Sequence, residues 1–147
     1  MLRIARAILT IELILGVFLS FLLDWSDNHL LHPMWHPHAR FHGALLLFFL
    51  AGASGIALWL LWRQSQEPRV AIDTAALIMA AFWTPLFYVT SVLPGATAWA
   101  GNPGGEPHIW GVLFLPNLAV ALLFLIFAAV AARIARIPDP PRAAHSR

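Results

Sequence analysis

Four long stretches of the chain, roughly 7–23, 43–62, 70–93 and 110–132, are almost continuously apolar, and each approaches the ~20 residues that a helix needs to cross ~30 Å of hydrocarbon. The runs do not alternate polar with apolar as barrel strands do. A backbone in lipid must also satisfy its own hydrogen bonds, so the pattern predicts helices. The fold class that follows is all-α: a polytopic, integral membrane four-helix bundle forming one domain over residues 1–136. The remainder, 137–147, is a short flexible tail in which Pro138, Pro140 and Pro141 cannot continue a helix. The first run follows Arg3 and Arg6 as the core of a signal peptide would, but no small-residue cleavage site comes after it. It ends on Asp24 and Trp25, a charge followed by an interfacial aromatic, and is read as a retained span.

Charge fixes the expected orientation. Composition is 60% hydrophobic and 11% charged, and the nine basic residues are all arginine. Eight of them, Arg3, Arg6, Arg63, Arg69, Arg133, Arg136, Arg142 and Arg147, fall on one side of a four-span topology, with Arg40 alone on the other. Positive residues flanking spans stay in the cytoplasm, which predicts cytoplasmic termini in the cell (inner) membrane and a periplasmic or extracellular opposite face. The high isoelectric point rests on a net charge of only +2 and forms no basic stripe, so nucleic acid is not an expected partner. With no cysteine, disulfides, zinc-thiolate sites and iron–sulfur ligation are excluded, and any metal must be held by nitrogen and oxygen. No internal repeat supports the inverted-repeat design of transporters.

The candidate chemistry concentrates between the first two spans. Residues 29–42 read His-Leu-Leu-His-Pro-Met-Trp-His-Pro-His-Ala-Arg-Phe-His and hold five of the seven histidines. Pro37 suits the first turn of a helix, where its missing N–H is harmless. A helix starting there puts His38 and His42 four apart on one face, the spacing at which two imidazoles reach one ion. Further ligands are expected on the same side of the membrane: Asp24 and Asp27, the loop histidines His29, His32 and His36, and Glu106 with His108 before the fourth span. The expected metal set is His38, His42 and His108, with His29 in reserve and Asp24 or Glu106 completing the shell and acting as general base. The ion would be zinc, iron or copper. His29, His32 and His36, taken singly, read as solvated or structural. Arg40 is a candidate clamp for an anionic group, or for lipid phosphate.

Ionisable groups at membrane depth are functional candidates by default. Glu12 is the clearest, as a proton-handling acid whose arginine or other partner should stand on a different helix. Asp73 reads as a charge placed near a helix N-terminus. Trp83, Tyr88 and Asn117, with Thr84, Pro85 and Pro116 beside them, predict a polar pocket floor open to the outer leaflet and able to bind a lipophilic substrate. Gly52, Ala53, Ser54 and Gly55 invite close helix contact, either within one chain or between copies in a homo-oligomer.

The run Pro33-Met34-Trp35-His36-Pro37-His38-Ala39-Arg40-Phe41-His42 resembles the signature of small four-helix membrane proteins, without an assigned activity, in which a tryptophan precedes Pro-His-Ala-Arg-Phe-His. That resemblance singles out His38 and His42 among the histidines. A looser similarity, in span number and in aromatic and acidic groups at one mouth, is to the sterol isomerase group of membrane proteins. The functional expectation is a metal-dependent membrane enzyme, hydrolase or oxidoreductase, acting on a lipophilic small molecule amid membrane lipids. The alternatives are a metal- or haem-binding accessory subunit, with haem the less favoured cofactor, and a metal-free acid–base isomerase.

Overall fold

The computed structural model describes residues 1–99, 101 and 104–138. Helices α1 (Leu2–Asp24), α2 (Pro37–Trp62), α3 (Pro68–Trp83) and α5 (Pro116–Ile134) form the body, with a 3-10 turn (Thr84–Phe87) continuing α3, a one-turn α4 (Val89–Val92), and two short strands, β1 (His108–Ile109) and β2 (Val112–Leu113). Four segments, Leu2–Asp24, Pro37–Trp62, Pro68–Phe87 and Pro116–Ile134, are long and apolar enough to cross a membrane.

The helices run alternately up and down, so chain neighbours are antiparallel. Trp62 at the end of α2 donates its indole N–H to Thr10 near the start of α1, at 2.9 Å, and Phe21 late in α1 meets Phe48 early in α2. The interior is built largely from small side chains, with Ala57, Ala71, Ala75, Ala121, Ala128 and Ala131 all buried and Leu9, Leu13, Leu61, Ile72 and Met79 filling between them. The outward faces are as apolar as the core: Ile14, Phe18, Phe49, Ile56 and Leu77 are all exposed. A helix apolar all round fits hydrocarbon as its surroundings, and points to a membrane protein.

The third and fourth spans are shorter than those the sequence predicts. The third span does not run as α-helix to 93, because Pro85 lacks an N–H and crowds the preceding turn; α3 stops at Trp83 and tightens into the 3-10 turn. The fourth starts at Pro116 rather than near 110, since residues 108–113 form a two-residue hairpin in which His108 pairs with Leu113 and Ile109 with Val112. Trp110 and Gly111 make its turn, at φ 52° and 79°, the positive values that such hairpins require. The class is thus mainly, not purely, α-helical. Asp73 is not in the first turn of α3, as a helix-dipole role requires; it accepts from Arg136, two residues past the end of α5, at 3.2 Å and so joins α3 to that end of the chain's last helix. Of the expected tail, Ile137 and Pro138 are described and 139–147 lie outside the described residues.

Helix α1 packs on α3 at Gly16, where an added Cβ would stand 3.6 Å from Met79 Cε and 3.7 Å from Trp83 Cζ2. A methyl group fits there and a larger side chain does not. Gly16→Ala is therefore expected to keep the thermal midpoint of the detergent-solubilised protein within a few degrees, and Gly16→Leu to lower stability by about 1–3 kcal/mol through overpacking. Equal melting of the two variants would show that the contact is not close.

Candidate functional site

The histidine segment is organised by the way α2 begins. His36 has extended backbone angles (φ −58°, ψ 134°) and its Nδ1 accepts the N–H of His38, while Pro37 occupies the first helical position, so the start of α2 satisfies one of its free donors with an imidazole. This sets the phase of everything that follows. His38 and His42 stand one turn apart, exposed, with their Nε2 atoms 3.0 Å apart and their rings nearly perpendicular. Phe41 stacks on His38 and meets His42 edge-on, which restricts both rings.

The preceding loop folds onto the opposite side of α2. Leu30 is buried, and both Leu30 and Trp35 press against Gly43, where an added Cβ would come within 2.7 Å of Leu30 Cδ1. Arg40 donates through Nη2 to the His32 carbonyl at 2.6 Å, so the guanidinium fastens the loop to α2. The His32 ring accepts the N–H of Met34. His29 leans on Trp35, with its Nδ1 3.9 Å from Asp24 Oδ1. The loop histidines are thus spent on local structure, apart from His29 with its carboxylate neighbour.

His108 lies on β1 and donates through Nδ1 to the Glu106 carbonyl at 2.7 Å, leaving Nε2 as its free nitrogen. Among the described residues no three His, Asp or Glu side chains come together in a way that could hold one ion. The fold brings His38 to His42 and His29 to Asp24. It does not gather His108, Glu106 or Asp24 around the pair on α2, because the hairpin and the loop set those groups on other surfaces.

Two apolar grooves follow the seam between α1 and α2, sharing Phe18 and Phe21. One, about 470 Å³, runs beside Ala51, Ser54 and Leu58. The other, about 530 Å³, is lined further by Leu22, Trp25 and Phe48.

Residues 8–139 match a family described as a family of unknown function, DUF6640. The chain belongs to the DUF6640 family. The match runs through the histidine segment and all four long helices, in keeping with the resemblance to four-helix proteins without an assigned activity. No curated protein and no solved structure matches the chain.

In this DUF6640 chain the other expected site residues each have their own surroundings. Trp83 is buried against Phe124, its ring centroid 4.9 Å away, and among the described residues its indole N–H has no hydrogen-bond partner. Tyr88 is half exposed beyond the 3-10 turn. Asn117 donates to the Ala98 carbonyl at 2.8 Å and so ties the long loop to the start of α5. The grooves on α1 and α2 were signalled only by apolar residues that look like ordinary lipid-facing positions. Ser54, buried and with no hydrogen-bond partner for its hydroxyl among the described residues, was legible only as a small residue.

Glu12 is 3% exposed and faces α5 near Ala128. The expected partner is missing: among the described residues neither carboxylate oxygen has a hydrogen-bond partner. An unsatisfied buried acid costs about 1–3 kcal/mol or more. Glu12→Leu is therefore expected to raise the melting midpoint by several degrees, at roughly 2–4 °C per kcal/mol for a chain of this size, with Glu12→Gln close to the parent. A fall for Glu12→Leu in a detergent melting series would mean that the carboxylate is held by a strong interaction.

Proposed function

We propose that the chain is an integral protein of the cell membrane with cytoplasmic termini, which binds a divalent transition-metal ion through His38 and His42 at the non-cytoplasmic mouth and acts on a lipophilic molecule. The observation that carries this reading is the 3.0 Å separation of the two Nε2 atoms. Nitrogens bound to one ion at about 2.0–2.1 Å, with angles between about 90° and 109°, stand about 2.8–3.4 Å apart, so the pair already has the spacing of a chelate. Zinc, iron and copper all suit imidazole. An ion there supplies Lewis-acid activation of water or of a polarised oxygen. His38 and His42 hold and orient it, while Phe41 limits the freedom of their rings.

The orientation rests on the arginines: Arg3, Arg6, Arg63, Arg69, Arg133 and Arg136 flank the helix ends opposite the histidines. The lipophilic character of the substrate rests on the α1–α2 grooves, whose walls are almost wholly apolar and open outward to the lipid side. Haem fits this pair poorly, because axial imidazoles lie on opposite sides of the iron, at twice the bond length, and not 3.0 Å apart.

A second reading has its own support. His29 and Asp24 form an imidazole–carboxylate neighbourhood at the end of α1, suited to metal-free proton transfer such as isomerisation. On that reading Asp24 is the base, and activity is insensitive to chelators.

Elemental analysis of detergent-purified protein separates the two readings. Stoichiometric zinc, iron or copper is expected, with His38→Ala and His42→Ala each weakening binding by more than about 100-fold, above the effect of losing an outer-shell partner, and His29→Ala retaining the ion. Metal content unchanged in the double variant overturns the metal reading.

A further inference from the structure

The metal reading leaves the coordination shell unfinished, and the position of the pair indicates what finishes it. Structural and catalytic sites for these ions take three or four protein ligands, whereas this chain presents two, and among the described residues no third His, Asp or Glu joins them. Resting on that reading, we infer that the seat is closed by a second copy of this chain, so that His38 and His42 of two chains enclose one ion in a four-imidazole site.

The pair sits on a defined face. His38, His42, Leu45, Phe49, Gly52 and Ile56 follow one another at steps of four, three, four, three and four residues, and all are exposed. This is the spacing that keeps one line of side chains directed at a neighbouring helix. The line lies on the side of α2 opposite the buried Leu47, Leu50, Ser54, Ala57 and Leu61, so it plays no part in the bundle core. At Gly52 an added Cβ would meet nothing within 4 Å, which leaves room for another helix to come close in the middle of the line.

Symmetry does the rest. Copies in one membrane share an orientation, so a two-fold axis runs along the membrane normal, and two α2 helices packed on this face are parallel. Their histidine pairs then lie at the same level beside the axis, where an ion would replace the contact between the two Nε2 atoms of each pair. The ion ties together two surfaces that are otherwise apolar and lipid-facing, and the dimer supplies the ligands that one chain lacks.

Cobalt titration of chelator-stripped full-length protein in detergent, with the molar mass followed by light scattering, tests this. Saturation at one cobalt per two chains is expected, with a visible spectrum of tetrahedral nitrogen coordination and conversion from one chain to two. His38→Ala should abolish both changes. Gly52→Leu, at a position where an added Cβ meets nothing within 4 Å, should leave the helical spectrum and melting unchanged and weaken cobalt binding by about five- to thirtyfold, the 1–2 kcal/mol typical of such helix contacts. One cobalt per chain on a monomer overturns the inference and leaves the metal reading standing. No cobalt bound overturns both. A dimer that forms equally without metal, or a Gly52→Leu protein that binds cobalt as the parent does, overturns the shared site or its packing.

Discussion

Close contact between small side chains is the constraint on which this structure depends. Helices that are apolar on every face gain nothing by hiding one face from lipid, so their association falls to van der Waals packing, which is strongest where backbones come near. The alanines that α2, α3 and α5 bring inward, and Gly16 of α1 beneath Trp83 and Met79, allow that approach. Among the described residues neither carboxylate oxygen of Glu12 has a hydrogen-bond partner in this tight interior, so this acid stands out against the alanines around it.

The histidine segment obeys a second constraint, the phase of α2. Pro37 and the His36 ring fix where the helix begins, and from there a side chain's number decides its direction. Positions 40, 43 and 47 turn inward, where Arg40 fastens the loop and Gly43 admits Leu30 and Trp35. Positions 38 and 42 turn outward. Five neighbouring histidines therefore divide by what their nitrogens face: His32 and His36 accept backbone N–H groups, His29 lies by Asp24, and only His38 and His42 have nitrogens directed at one another.

The spans were legible because a run of ~20 apolar residues has few other uses; their ends were less so. Hydropathy does not separate Val92 or Val112, outside the long helices, from Ile78 or Leu122 within them, and the boundaries turned on Pro85 and on the positive φ of Trp110 and Gly111. The pair at 38 and 42 was legible from local spacing alone. The wider ligand set was not, since it depended on how the loop and the hairpin pack on the bundle, and a chain read residue by residue carries no such distances. The Asp73–Arg136 contact is a case of the same kind, with its partners 63 positions apart.

Helix α2 ends up with three separate faces. One faces the core, one carries Phe48, Ala51, Gly55 and Leu58 along the groove shared with α1, and one carries the histidine pair. On the proposed reading this sets a geometric condition on any lipophilic ligand. The groove's upper aromatic, Phe48, is six residues beyond His42, roughly 9 Å along the axis at 1.5 Å per residue, and about a third of a turn around it. A molecule lying in the groove meets the pair only with a group that extends past Phe48 toward the start of α2, and that passage is bordered by Trp25, which packs on Phe48 at 6.1 Å. The reacting group must then be at the end of an elongated hydrophobic body, because a compact ligand held between α1 and α2 stays below Phe48 and reaches neither imidazole.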